Sequence, residues 1–327
     1  MIYTALYPLK FTPLPKYRIW GGNKLNTVLQ KGFTEENIGE SWEISGVPGD
    51  ETLVSGGILA GKSLQQLIQE YQDKLVGKHV YDTFQDQFPL LIKFIDAKTP
   101  LSVQVHPHDA IAKERHQSFG KNEMWYIMDA EEDAEIIVGF QTELTKEKYT
   151  EFLNNDQILN VLNTVKTKAG DAFYIPTGRV HAIGAGVLLA EIQQTSDITY
   201  RIYDYNRVDK ATGKTRELHN DLALDVIDFK VHDNYKTSYE LTENQSNLLI
   251  HSPYFKSNIL HLNQSIVKDY TTIDSFVIYI CTNGSFDLVA DQNTYFVQKG
   301  ESILIPASLN NITLKPKNQA EILEVYY

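Results

Sequence analysis

The chain lacks most of what would mark it as secreted, membrane-spanning or nucleic-acid binding. Its single cysteine, Cys281, rules out an intramolecular disulfide framework and fits a reducing compartment. No apolar run approaches the ~20 residues that a membrane-crossing helix needs. The opening Met1-Ile-Tyr-Thr-Ala-Leu-Tyr-Pro-Leu-Lys10 has no basic stretch leading into an apolar core, so a soluble cytoplasmic protein is the expectation. Lysine- or arginine-rich runs are also missing, and the formal net charge is −12. That balance argues against nucleic acid and anionic membrane as partners. The same field repels an anionic substrate, so any such substrate needs a local cluster of cations.

What is present, in 327 residues, suffices for one large or two ordinary domains. A Pro-punctuated segment, 7–22, ends in Arg18-Ile-Trp-Gly-Gly22, with the Gly pair expected to turn the chain. Glu40-Ser-Trp-Glu-Ile-Ser-Gly46 and Pro89-Leu-Leu-Ile-Lys-Phe-Ile95 read as strands. Ser63 to about Tyr71 reads as a helix, with Ser63 as N-cap and Leu64, Leu67 and Ile68 at helical spacing. Residues 142–163 read as one or two helices starting at Thr145, and 217–229 as another. Elsewhere short strands alternate with Gly, Asn and Asp turns. The fold expected is mainly β, a sandwich or barrel with helical insertions.

A weak internal repeat refines this. Gly170-Asp-Ala-Phe-Tyr-Ile-Pro176 matches Gly300-Glu-Ser-Ile-Leu-Ile-Pro306, and Trp125-Tyr-Ile127 matches Ile278-Tyr-Ile280. The two matches are offset unequally, by about the length of the helical stretch 142–163. Two copies of one β unit follow, at 1–240 and 241–327, the first carrying the insertion. In this alignment Phe276 replaces Glu123 and Asn311 replaces His181, so the second copy is expected to hold no metal ligands.

Candidate chemistry concentrates in the first copy. Period-two alternation in Leu101-Ser-Val-Gln-Val-His-Pro107 puts Ser102, Gln104 and His106 on one strand face. Glu123-Met-Trp-Tyr-Ile-Met128 is a second strand, with Glu123, Trp125 and, by backward extension, Lys121 on one side. Ile175-Pro-Thr-Gly-Arg-Val-His181 adds an imidazole. Two neutral imidazoles and a carboxylate suit Zn²⁺ with an open position. Lys93 interrupts an apolar strand, where a charge is costly unless paired or used; the competing reading is an edge-strand lysine reaching outward.

The spacing of a Gln-x-His strand, a Glu on the next strand, and Gly-Asp-x-x-x-Ile-Pro leading to a further His resembles the cupin pattern. Within the cupins, Pro100-Leu-Ser-Val-Gln-Val-His-Pro107, Gly120-Lys-Asn-Glu123, Pro176-Thr-Gly-Arg-Val-His-Ala182 and Ser196-Asp-Ile-Thr-Tyr-Arg201 resemble type I phosphomannose isomerase. Trp20-Gly-Gly22 and Gly39-Glu-Ser-Trp42 resemble its N-terminal signatures. The resemblance implies two cupin-type β-barrel or jelly-roll units in the compact bacterial form of the family. It also implies interconversion of mannose 6-phosphate and fructose 6-phosphate, and one Zn²⁺ per chain held by Gln104, His106, Glu123 and His181. His108 is the alternative imidazole, but Pro107 separates it from the strand. A small-molecule sugar phosphate is then the expected partner.

Such an isomerisation needs a Lewis acid, a base near a carbon-bound proton and a phosphate anchor. Glu191, after the apolar Val187-Leu-Leu-Ala190, is the candidate base, with Lys121 as an alternative proton relay or polarising group. The competing reading of Glu191 is an ion-pair partner. Arg201 occupies the position of the family's catalytic arginine; without that match it reads as an arginine paired to Asp197 or Asp204. Lys93 and Ser102 are candidates for the phosphate site, with Arg179 and Arg207 as weaker, surface-placed options. Two other classes stay in view: a dioxygenase-type metal cupin, which would normally present more imidazoles, and a non-catalytic sugar-binding cupin.

Overall fold

The computed structural model of the chain describes residues 5–327. Three antiparallel sheets carry most of it, and the strand Leu90–Ala97 shows how they stack. All eight of its residues are buried, so both faces meet protein. Leu90, Ile92 and Phe94 point one way, into a core that also takes Ile278, Ile280, Leu304, Leu323 and Val325 from the C-terminal sheet. Ile95 and Ala97 point the other way and pack with Trp125, Ile127, Leu189, Ile136, Val138 and Ile183. This central six-stranded sheet runs Ala172–Ile175, Glu123–Ala130, Val187–Gln194, Leu90–Ala97, Leu14–Gly22, Ile38–Ile44.

The second sheet has five strands in the order Tyr200–Tyr203, Val103–Val105, His181–Ile183, Glu135–Phe140, Leu162–Lys166. It faces the central sheet across the Trp125–Ile183 core. Its outer face is closed by Tyr149, Ile158, Val161 and Ala223. The third sheet contains Asn247–His251, Lys256–Leu262, Asn311–Tyr326, Val277–Ala290 and Asn293–Gln298, with two short strands attached. It curls over its own core, which includes Leu260, Tyr279, Phe286 and Ile322. The architecture is mainly β and cupin-like, as expected. No helix among the described residues is long and apolar enough to cross a membrane.

Local chemistry accounts for the helices. Leu64–Tyr71 begins at Ser63 with a reciprocal capping box to Gln66 and buries Leu64, Leu67, Ile68 and Tyr71. Lys146–Asn154 begins at Thr145, whose hydroxyl accepts the Lys148 N–H. The insertion then makes a short 3-10 turn, Ile158–Val161, and becomes strand at Leu162.

Three expectations need correction. The helix expected over 217–229 is only Asn220–Leu224. Residues before it are held extended: the Arg201 side chain donates to the Glu217 carbonyl and the His219 N–H donates to the Arg201 carbonyl. The Gly21-Gly22 pair ends a strand rather than forming a turn. It is needed for close approach, since a Cβ on Gly21 would lie 2.5 Å from the Asn37 carbonyl oxygen. The repeat is real as strand pairing but its register is off by one. Ile175 lies opposite Glu123, whereas Ile305 lies opposite Val277, not Phe276. Val277 therefore stands where Glu123 does.

Candidate metal centre and cavity

Strand pairing brings the donors together. Gln104 and His181 are direct partners across the five-stranded sheet. Glu123 projects toward them from the end of its strand in the central sheet. His106, Glu123 and His181 are all buried, and each offers one ligand atom within 4.8 Å of the others'. His106 Nε2 lies 3.2 Å from Glu123 Oε1 and His181 Nε2 3.7 Å from Glu123 Oε2.

The imidazoles are set for ligation from behind. His106 Nδ1 is 2.9 Å from the Ile198 carbonyl and His181 Nδ1 is 2.8 Å from the Arg179 carbonyl. A carbonyl only accepts, so each Nδ1 must carry the proton and each Nε2 turns a lone pair toward Glu123. Both rings are held neutral. Burial, followed by the Lys121 charge, pushes His106 down to about 3; burial also lowers His181. Burial would raise the Glu123 carboxyl, but Lys121 and then His106 outweigh it and hold the group well below the usual carboxylate range.

A divalent cation fits this arrangement. His106 Nε2 and both Glu123 oxygens are buried and complete no hydrogen bond, although Lys121 Nζ lies 3.0 Å from Glu123 Oε1. Orphaned polar atoms cost free energy when buried, and three that converge share one natural remedy, a cation. The Gln104 amide stands beside them, its nitrogen 3.3 Å from His181 Nε2 and its oxygen 3.4 Å from Ser102 Oγ. Rotating the amide by half a turn would aim the oxygen at the centre and leave the NH₂ for Ser102.

Above this floor is a cavity of about 430 Å³ whose walls include Lys93, Ser102, Gln104, Lys121, Glu191 and Arg201. His181 also reaches it, while His106 and Glu123 sit beneath. His108 lies outside, exposed at the start of the helix Asp109–His116. Arg179 stacks on Tyr235 and Arg207 binds Asp204; neither lines the cavity.

Lys93 is not an edge lysine. It occupies a central strand, 4 % exposed, directly opposite Glu191 and Trp42. Its ammonium lies 3.2 Å from Glu191 Oε2. Glu191 thus has an ion-pair partner, and it also accepts the Trp125 indole N–H at 2.8 Å. Burial, and then the Glu123 charge, raise the Glu191 carboxyl above its ordinary value despite Lys93 and Lys121. Arg201 is not an arginine paired to Asp197 or Asp204: among the described residues it contacts no carboxylate, and its Nε is buried without a partner. Asp204 is taken by Arg207 and Arg216.

Two cavity cations were not anticipated, Arg18 and Arg216. Arg18 makes a two-pronged pair with Glu40, both bonds 3.0 Å. Its alternation with Trp20 in a strand was the available signal.

Facing sheets with His, Glu and His donors directed between them define a cupin-type protein with a candidate metal centre. Two family profiles match in succession: "Phosphomannose isomerase type I, catalytic domain" over residues 9–149 and "Mannose-6-phosphate isomerase, cupin domain" over 244–326. The chain belongs to the type I phosphomannose isomerase family. It is 36 % identical to mannose-6-phosphate isomerase ManA of Bacillus subtilis over 94 % of this chain and 96 % of that one. It is 34 % identical to mannose-6-phosphate isomerase of Streptococcus mutans, with 90 % of each covered. A crystal structure of the mannose 6-phosphate isomerase from Bacillus subtilis superposes with a TM-score of 0.88 at 32 % identity, covering 98 % and 100 % of the two chains.

Proposed function

We propose that the protein is a zinc-dependent mannose-6-phosphate isomerase, interconverting mannose 6-phosphate and fructose 6-phosphate through an enediolate. The observation that carries this reading is the set of buried, unsatisfied His106 and Glu123 atoms, with a His181 nitrogen within ligand reach of them, at the floor of a cavity walled by ionised groups. Gln104, His106, Glu123 and His181 would hold the Zn²⁺: two imidazoles and a carboxylate are ordinary zinc donors, with the amide oxygen as the fourth. When bound, zinc supplies a Lewis acid for the sugar oxygens. Chemistry is assigned to the 1–240 unit, and the 241–327 unit is structural.

The chain's own groups do the rest. A base must take the proton from C2 of the aldose and return it to C1, while the hydroxyl proton passes from O2 to O1. Glu191 fits the first task, because its raised carboxyl is closer to a useful proton-transfer range. Trp125 and Lys93 fix its two oxygens and hence its direction. Lys121, buried beside Glu123, donates to a sugar oxygen and carries the hydroxyl proton on this reading. The unspent Nε of Arg201 suits the oxyanion that develops on the substrate. Lys93 and Ser102 line the same wall and contact the bound sugar phosphate.

The test is a coupled assay of mannose 6-phosphate turnover with metal content measured in parallel. Turnover that falls with chelation and returns with stoichiometric zinc is expected. Full turnover of metal-free protein would refute the reading.

A further inference from the structure

We propose that Arg216, carried at the base of the hairpin Val208–Thr215, grips the phosphate of the substrate, and that this hairpin is a lid fastened by Tyr17. This rests on the sugar-phosphate reading above and names the part of the cavity that recognises the anion.

The cations of the cavity differ in what they are already bound to. Arg18 is matched by Glu40, Lys93 by Glu191 and Lys121 by Glu123. Arg201 has no carboxylate. Arg216 places Nε 2.8 Å from Asp204 Oδ2 and Nη2 2.5 Å from Asp204 Oδ1, but Asp204 also holds Arg207. Arg207 and Arg216 thus share one carboxylate, and Arg201 beside them has none. The other nearby cavity acids form no ion pair with the three: Asp209 Oδ1 accepts from the Tyr17 hydroxyl and the Ala211 N–H instead, and Asp197 pairs with none of them. The repulsion is felt at Arg201, whose guanidinium is held below its ordinary value by burial first and by Arg216 next. In a chain of net charge −12, such a corner is where a phosphate dianion would be favoured. Asp204 fixes the plane of the Arg216 fork and leaves Nη1 uncommitted and available to phosphate oxygens.

The hairpin geometry suits a lid. Tyr205 and Asn206, at φ +55° and +52°, make a sharp left-handed bend that sends Val208–Asp209 and Lys214–Thr215 back as a paired ribbon. The Asp204 clamp holds its base, and Arg207 donates to the Pro100 carbonyl next to the Ser102 strand. Its free side is fastened by one exposed hydrogen bond, Tyr17 Oη to Asp209 Oδ1 at 2.9 Å. Tyr17 and Asp209 both line the cavity, so breaking that single bond opens its mouth while the base stays anchored.

The test compares wild type with Arg216→Gln and Tyr17→Phe, using mannose 6-phosphate kinetics and calorimetric titration with inorganic phosphate. Arg216→Gln is expected to raise KM on the order of 10- to 100-fold and weaken phosphate binding by a similar factor, with kcat within a few-fold and metal content unaltered. Tyr17→Phe, a change at an exposed rim residue, is expected to raise KM several-fold. Unchanged KM and phosphate affinity in Arg216→Gln, or a loss confined to kcat, would overturn the proposal. If the wild type does not isomerise mannose 6-phosphate, the reaction assignment fails, and phosphate titration alone decides this one. Binding lost in Arg216→Gln upholds it; equal affinity refutes it.

Discussion

Replacing Glu123 by Gln keeps the size of the side chain and removes the one anionic donor of the proposed zinc site. The remaining donors, His106, His181 and Gln104, are neutral, and Lys121 stands 3.0 Å from the same carboxylate. In the variant a dication would face that ammonium with no anion between them. A unit-charge interaction at ~4 Å with an effective dielectric of ~20 is worth about 4 kcal/mol, which corresponds to roughly 10³ in dissociation constant. The consequence is readable in stability. Zinc at about 100 times its wild-type dissociation constant stabilises the folded state by about 2.7 kcal/mol. At the same free zinc the variant sits near a tenth of its own constant and gains under about 0.1 kcal/mol. With roughly 2–4 °C per kcal/mol for a chain above 150 residues, wild type should melt about 5–10 °C higher with zinc than with chelator, and the variant should show no shift. Differential scanning calorimetry with and without zinc, alongside elemental analysis, measures both. An undiminished zinc-dependent shift in Glu123→Gln would show that Glu123 is not a ligand.

Three further outcomes follow from the same geometry. Arg201→Lys keeps the charge but loses the planar fork, so kcat should fall on the order of 10²–10³ with KM nearly unaltered; a selective rise in KM would make Arg201 a ground-state anchor instead. Because the Glu191 carboxyl is raised, the acid limb of kcat/KM should lie above the usual carboxylate range, with rate rising as pH increases through it, and Glu191→Gln should abolish turnover while metal content stays normal. The linked stability has the opposite sign: the folded chain binds that proton more tightly, so the contribution is full below the unfolded-state value and is lost as pH rises through the folded-state value. Asn311→Ala, at an exposed position of the C-terminal sheet, should leave zinc content and turnover close to wild type, and loss of a second stoichiometric zinc would contradict a ligand-free second unit.

The parts of the site legible in the sequence were those governed by short-range rules. Period-two alternation pointed to Ser102, Gln104 and His106, although the strand itself is only Val103–Val105, and Ser63 and Thr145 marked their helices as N-caps do. Lys93 was visible as an anomaly, but whether it faced solvent or the cavity depended on its strand being central, a fact set by pairing with residues about a hundred positions away. Arg216 carried no local signal at all, because its place follows from a bend at Tyr205 and Asn206, and although Asn often adopts the left-handed conformation, Tyr seldom does. The repeat was seen by motif, yet a one-residue difference in register is invisible to motif matching and still reverses which side chain meets the interior.

The register distinguishes the proposed site of the first unit from the matching place in the second. Glu191 lies opposite Trp125 in the first unit, and Glu324 lies opposite Tyr279 in the second, so both keep a buried carboxylate beside an aromatic donor. Their surroundings differ. Glu324 is saturated by Tyr270, Asn258, Ser246 and Lys268, and those bonds hold its carboxyl below the ordinary value against burial. A carboxylate with every lone pair engaged is a structural tie and a poor base. Glu191 has only Trp125 and Lys93, opens on the cavity and keeps a raised carboxyl. With Val277 in place of Glu123, the second unit also has no carboxylate at the position of the proposed anionic ligand. The same strand pairing therefore yields, in one unit, a carboxylate open to the cavity, the base of the proposed reaction, and in the other a locked polar core.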